Sequence, residues 1–271
     1  MKLTLQQIQG ESKNILIYID SICRQLNLKY VLFWGSLIGA IRHQGFIPWD
    51  DDLDIAMPRN DYEKLKCYFI ENKDKCKPFE LFSIETRDEY PYMLPRICNT
   101  NFHLIAENEK DYGMGTFVDI YPMDGAGNGK HTLLYRKSCL FTTLYGLKSR
   151  LHFQKTFSWK KNILKRIMYL VSKMISVNFL QKKLREYSRK FDFDDSEYVS
   201  CLTWLDGGVP LVFRKDDLFT VETVKFEDIS VNIPKSYDSL LKQCYGDYMK
   251  LPPENQRMGH HYYYIETREN Q

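Results

Sequence analysis

The segment FWGSLIGAIRHQGFIPWDDDLDIAMPRNDY, residues 33–62, sets four acids in five positions, Asp50, Asp51, Asp52 and Asp54, directly before apolar residues. In a strand, side chains alternate between faces, so Leu53, Ile55 and Met57 point one way and Asp52, Asp54 and Ala56 the other. Asp50 joins the same row wherever the chain is still extended. Carboxylates this close repel unless a cation neutralises them. Magnesium, with manganese as its substitute, suits such a site, because it takes hard oxygen ligands from one or two carboxylates plus substrate phosphates and water.

Upstream of the acids, Gly35 and Ser36 end a strand and start a helix. Free backbone N–H groups and the helix dipole make such a turn a place for an anion. Glycine admits a phosphate close to the backbone, and the Ser36 hydroxyl can cap the helix or donate to a phosphate oxygen. An isolated D-x-D is more often a solvated turn, and Gly-Ser turns are common. Together, on opposite sides of one helix-turn unit, they describe a site where a phosphoryl group is activated for transfer. Arg42 and His43 follow the short helix. Arg42 is the better phosphate ligand, since its guanidinium grips two oxygens at once, and the lone histidine reads as structural. Pro48 and Trp49 shape the turn that delivers the carboxylates.

The elements that must position these residues follow from periodicity. Apolar residues recur at helical spacing from Leu5 to Leu26, KYVLFW is a short buried strand, and SLIGAIRHQG is a helix closing at Gly45. DLDIAM is a strand, and Pro58 opens a further helix. YMLPRIC, FHLIAE and TFVDIYP read as more strands, giving an α+β fold with a mixed sheet. Within TFVDIYP, Asp119 sits among apolar neighbours, where a bare charge is costly. A metal, a basic partner such as Arg96, or a substrate proton must lie near it. From Val224 strand character runs to Ile233, and a helix follows from about Ser236 to Tyr245. The implied organisation is a core over residues 1–130, a basic helical segment over 131–195, and a portion over 196–271 that completes the same domain.

Composition excludes other classes. The 44% hydrophobic and 27% charged content is that of an ordinary soluble protein, and an excess of three basic residues is too small to argue for nucleic acid. The seven cysteines are odd in number and scattered, with no C-x-x-C pair, which fits reduced thiols in a cytosol. The first twenty residues lack the apolar run of a signal peptide. The longest apolar region, Ile163 to Leu180, is interrupted by Lys165, Arg166 and Lys173, so it falls short of the roughly 18 uncharged residues a spanning helix needs.

The stretch GSLIGAIRHQGFIPWDDDLDIAMPRNDYEKL resembles the signature of the LicD family, bacterial phosphocholine transferases related to fukutin and fukutin-related protein within the nucleotidyltransferase-fold superfamily. FVDIYPMDG is similar to that family's second block, and VKFEDISVNIPKSYDSLLKQCYGDYMKLPPENQRMGHH to its closing block. The resemblance implies a nucleotidyltransferase-like mixed sheet flanked by helices, with a helical basic insertion and a C-terminal α/β segment. It implies Asp52, Asp54 and Asp119 as catalytic and metal-binding carboxylates and a phosphate-binding turn at Gly35 and Ser36. Arg257, His260 and His261 match the closing block. The implied reaction moves a phospho-alcohol, phosphocholine first among them, from a CDP-activated donor to a sugar hydroxyl and releases CMP. The acceptor would be a lipid-linked oligosaccharide or polysaccharide precursor of teichoic acid, capsule or lipopolysaccharide, met in the cytoplasm or at the inner face of the membrane. The alternatives are a D-x-D metal-dependent glycosyltransferase and a non-catalytic relative that binds glycan or lipid.

Between Lys155 and Lys190 the chain carries eleven Lys or Arg against one acid, Glu186. Two readings stand side by side. Either the apolar stripes of these helices pack on the domain while lysines face water, or a basic amphipathic helix lies on anionic lipid. With 19 tyrosines and 4 tryptophans in the chain, sequence does not separate an aromatic cage for a choline group from ordinary core.

Overall fold

The computed structural model describes residues 1–87, 90–155, 158–204, 211–257, 259 and 263–268. Helix α1 (Leu5–Leu26) starts at a capping box, in which the Thr4 hydroxyl accepts the Gln7 N–H at 3.3 Å and the Gln7 side chain accepts the Thr4 N–H at 2.8 Å. It ends at Asn27, held left-handed at φ 53°. Its buried face, with Ile15, Leu16 and Ile19 wholly covered, lies on the sheet, and each such side chain contributes about 2 kcal/mol. Strand β1 (Val31–Leu32) follows, then α2 (Trp34–Ile38), which runs on into a π-helical turn over Gly39–His43 closed by Gln44 at φ 56°. The single helix expected here is therefore two pieces of different pitch.

Strand β2 (Asp54–Pro58) leads into α3 (Arg59–Glu71) and α4 (Lys73–Cys76), with Pro58 capping α3 as its sequence position suggests. Strands β3 (Phe79–Phe82), β4 (Arg96–Asn99), β5 (Phe102–Ala106) and β6 (Thr116–Gly125) come next, and then helices α5 (Thr132–Ser149), α6 (Trp159–Met174) and α7 (Val177–Ser188). The chain continues through β7 (Tyr198–Ser200), β8 (Phe213–Arg214), α8 (Lys215–Phe219), β9 (Val221–Phe226), β10 (Ile229–Pro234), α9 (Tyr237–Tyr245) and β11 (Tyr263–Thr267). Among the described residues this is an α+β fold. Its main sheet has the order β1-β2-β6-β4-β3, with β7 on the far end of β6 and β8 beyond it. Strands β2 and β6 run parallel and the other pairs of that sheet antiparallel.

The sheet has two unlike faces. On one, Ile55, Met57, Val118 and Ile120 join the α1 residues in the largest core cluster. On the other, Ala56, Tyr121 and Met123 pack with Val31, Phe33 and residues of β7 to α9. That second face also bears Asp54 and Asp119, which are register partners across the parallel pair. Within the basic helical segment, α7 buries Leu180 and Leu184 against Leu144 and Tyr145 of α5. The α6 stripe does not follow suit, and its apolar residues stay exposed. Among the described residues no helix is long and apolar enough to cross a membrane.

The far end of β6 is tied to α3 by a buried ion pair. Arg59 Nε donates to Asp124 Oδ1 at 2.6 Å, and Asp124, 0% exposed, also accepts the Leu202 N–H at 3.2 Å. Removing one partner strands a charge in the interior, which commonly destabilises by about 3–5 kcal/mol. Arg59→Ala should therefore lower the unfolding free energy by that amount in a denaturant titration, whereas Arg24→Ala, at an exposed pair on α1, should change it by less than about 1 kcal/mol.

Candidate active site

Asp54 opens β2, and its backbone N–H donates to the Ser36 hydroxyl at 2.8 Å. The Asp119 N–H donates to the Leu53 carbonyl at 2.9 Å. These two bonds, one from each side, fix the start of the parallel pair, so that Asp54 and Asp119 stand side by side on one face. Adjacent strands are ~4.8 Å apart, and at an effective dielectric near 20 two carboxylates at that separation repel by roughly 3 kcal/mol. Both side chains are buried, at 6% and 5% exposure.

The consequence falls on Asp54. Burial first, then the charges of Asp52, Asp119 and Asp50, push its carboxyl well above the ordinary range, with Arg96 pulling the other way. Its Oδ1 is buried without a hydrogen-bond partner. Asp119 is better provided for. Arg96, its register partner on β4, donates from Nε to Oδ1 at 2.6 Å and from Nη2 to Oδ2 at 3.2 Å. The Arg96 guanidinium is itself held between the rings of Tyr92 and Phe117, at 4.5 and 4.1 Å from their centroids. The arginine partner is thus the one realised among those that Asp119 could have had.

Asp52 lies just outside β2 rather than within it. Asp50, Asp51 and Asp52 are half-buried, and each places a carboxylate oxygen within 4.8 Å of the others'. Gly35 faces this group. A Cβ there would lie 2.7 Å from Asp50 Oδ2, so a larger residue would have to displace the Asp50 carboxylate, the group that approaches Gly35 in this structure. Ser36 lies inside α2, whose N-cap is Phe33 with no side-chain cap. The hydroxyl expected to cap the helix instead anchors β2. Arg42 Nη1 donates to the Tyr248 carbonyl at 2.6 Å and Nε to His43 Nε2 at 3.0 Å, which fixes the guanidinium between the π-helical turn and the C-terminal part of the chain. His43 packs edge-on against Trp49, a structural placement.

An orphaned, buried carboxylate oxygen beside a cluster of hard oxygen donors fits a divalent cation such as magnesium. The donors are all carboxylate, without sulfur or imidazole among the described residues that meet there, which matches magnesium or manganese better than zinc.

Three features escaped the sequence. Strand β11 pairs with β5 and carries Tyr263 to the acids, where burial and the charges of Asp51 and Asp52 push its hydroxyl well up. Its alternation is masked in sequence by a run of three tyrosines. Trp34, directly before Gly35, sits at φ 45°, a left-handed conformation unusual for a large side chain. Tyr121, two residues past Asp119 on the same face, meets Trp34 at 6.2 Å between ring centroids and Trp204 at 6.3 Å, with interplanar angles of 67° and 89°. Trp34 meets Tyr245 at 6.1 Å and 89°. Of the closing block, Arg257 lies over the Trp49 ring at 5.8 Å, and a Cβ on Gly259 would lie 3.9 Å from Asp51 Oδ1. His260 and His261 lie outside the described residues.

Comparison with known proteins follows the same residues. The lipopolysaccharide cholinephosphotransferase LicD of Haemophilus influenzae is 30% identical over 96% of this chain and 97% of its own. This chain belongs to the LicD family. The family model described as LicD/FKTN/FKRP, nucleotidyltransferase domain, matches residues 27–142, which span β1 to α5 and hold every carboxylate above. Uncharacterized proteins of Rickettsia prowazekii and Rickettsia typhi are 34% and 32% identical, each over 38% of this chain and over 46% and 38% of their own lengths.

The raised Asp54 carboxyl has a measurable effect in the metal-free protein. The native state holds a proton there that the unfolded chain releases, so this contribution to stability is full below the unfolded value near 4 and is lost as pH rises toward the folded one. Asp54→Asn removes this ionisable group, whose ionisation opposes folding, and at neutral pH it should raise the melting temperature of the metal-free protein by about 2–4 °C, the shift that ~1 kcal/mol brings in a domain of this size. The gain should shrink below pH 5. Differential scanning calorimetry in chelator checks both.

Proposed function

We propose that this LicD-family protein transfers phosphocholine from CDP-choline to a sugar hydroxyl of a lipid-linked glycan precursor, releasing CMP, with magnesium at the carboxylates of a nucleotidyltransferase-like core formed by residues 1–130. The observation that carries the reading is the pairing of Asp54 and Asp119 across β2 and β6 beside Asp50 to Asp52. Asp52 and Asp54 are the residues that would hold the cation, while Asp119 keeps its Arg96 partner. When bound, magnesium neutralises the donor diphosphate and stabilises charge developing on it.

The chain's own groups do the rest. The acceptor oxygen attacks the phosphorus bearing choline, the bond from that phosphorus to CMP breaks, and the hydroxyl proton passes to a carboxylate, assigned to Asp119. Arg96 fixes the rotamer of Asp119 through its two-pronged bond, so the acceptor meets a carboxylate already in place. Gly35, Ser36 and Arg42 are assigned to the donor's phosphate side. Ser36 also keeps Asp54 in register.

Choline, rather than ribitol or glycerol, is favoured by the rings that adjoin the acids. Trp34, Tyr121, Trp204 and Tyr245 meet at steep angles next to Asp119, and aromatic faces at such angles recognise a quaternary ammonium. The Haemophilus influenzae relative is a lipopolysaccharide cholinephosphotransferase, which points the same way, and an acceptor of that kind would be met at the inner face of the membrane.

The test is a panel of CDP-choline, CDP-ribitol and CDP-glycerol with an extract of lipid-linked glycans. CMP should appear with CDP-choline only, and CMP from another donor alone would contradict the assignment. Asp52→Asn and Asp54→Asn should each lower kcat by about 100-fold or more, the loss typical when key electrostatic stabilisation is removed. Tyr245, 45% exposed, can be changed without harm to the core. Tyr245→Leu should raise KM for CDP-choline by about fivefold to tenfold, the scale of one cation–π contact, with kcat nearly unchanged.

A further inference from the structure

The outer face of α6 is apolar and uncovered. Ile163, Leu164, Ile167, Leu170, Val171 and Met174 are between 41% and 88% exposed, and they recur at spacings of three and four, so they form one continuous stripe. Trp159, 68% exposed, extends it at the N-terminal end. The opposite side of the helix makes the contacts with the protein. Ser172 is fully buried, Met168 packs into the α5–α7 cluster, Tyr169 donates its hydroxyl to the Leu151 carbonyl at 3.1 Å, and Lys173 Nζ donates to the carbonyls of Lys148 and Arg150. The stripe therefore points outward because α6 is fixed by its other side.

A face of this size on a soluble surface marks an interaction site, and the charges decide its occupant. The sequence of α6, WKKNILKRIMYLVSKM, holds five cations and no acid. A second copy of this chain on the stripe would bring two such helices together, like charge against like charge. A surface that is apolar within and anionic at its rim satisfies both halves of the helix at once. At 16 residues the helix is about 24 Å long and too polar to span a bilayer, so it suits lying in the headgroup plane with Trp159 at the interface.

We infer that α6 is a membrane-docking helix that lays its apolar stripe into the surface of an anionic lipid bilayer, with Lys161 and Arg166, both exposed, at the headgroups. This goes beyond the proposed reaction and is read without turnover.

The experiment is co-sedimentation of the full chain with phosphatidylglycerol vesicles and with phosphatidylcholine vesicles. Two variants accompany it, one with Ile163→Ser, Ile167→Ser and Leu170→Ser, the other with Lys161→Gln and Arg166→Gln. The wild type should pellet with phosphatidylglycerol and only weakly with phosphatidylcholine. Binding should fall roughly tenfold between about 0.05 M and about 1 M salt, as the Debye length shrinks to about 3 Å. Each variant should lose about tenfold or more in partition, at an unchanged melting temperature, since the substituted side chains are exposed. Equal binding to both vesicles, or an apolar variant that pellets like the wild type, would overturn the inference. So would a wild-type dimer that ignores vesicles and that the apolar variant turns into monomer, because the stripe would then belong to a second copy.

Discussion

The structure is organised around negative charge gathered where the backbone allows it no retreat. Asp54 and Asp119 are held side by side because their strands are parallel neighbours in fixed register, and Asp50, Asp51 and Asp52 crowd the approach to β2. A one-residue slip of either strand would turn its carboxylate to the other face, the one that holds Ile55, Val118 and Ile120. That face is the largest core cluster of the protein, so hydrophobic burial on one side of the sheet enforces electrostatic repulsion on the other.

Other elements act on this constraint. Arg96 relieves one of the two buried acids and leaves the other with an orphaned oxygen. The asymmetry gives the pair different chemistry. Asp119 sits in a fixed ion pair with Arg96, whereas burial and the neighbouring acids favour the proton on Asp54. The short helix α2 serves by geometry. Ser36 ties down the Asp54 backbone, Gly35 leaves room for Asp50, and Trp34 is driven into a left-handed conformation that brings its ring to Tyr121. Strain of this kind persists only where surrounding packing enforces it.

What was legible in the sequence was what depends on near neighbours. The α-β-α-β-α opening, the strand at Asp54 and the α9 helix follow from periods of two and 3.6, and Asp54 and Asp119 stand out because charge interrupts an apolar strand. Ser36 as a strand anchor was hidden, since its partner lies 18 residues away. Strands β3, β7, β8 and β11 were missed. Two of them are three residues or fewer, and the run of tyrosines at β11 hides its alternation, so partners rather than propensity make them strands. The basic segment shows a further limit. Periodicity identifies α6 and α7 as amphipathic equally well, yet α7 packs Leu180 and Leu184 inward while α6 turns its stripe out. Which way an amphipathic face points is settled by contacts far along the chain.

On the proposed function, the carboxylate cluster is stable in its working form only with a divalent cation. Direct binding of Mn2+ to the chelator-treated protein, followed by electron paramagnetic resonance with proton release recorded in weak buffer, tests it most closely. Saturable binding is expected, displaced by Mg2+, accompanied by proton release as Asp54 gives up its proton, and weakened at least about tenfold in Asp54→Asn. No saturable binding, or binding as tight in Asp54→Asn as in the wild type, would contradict the account.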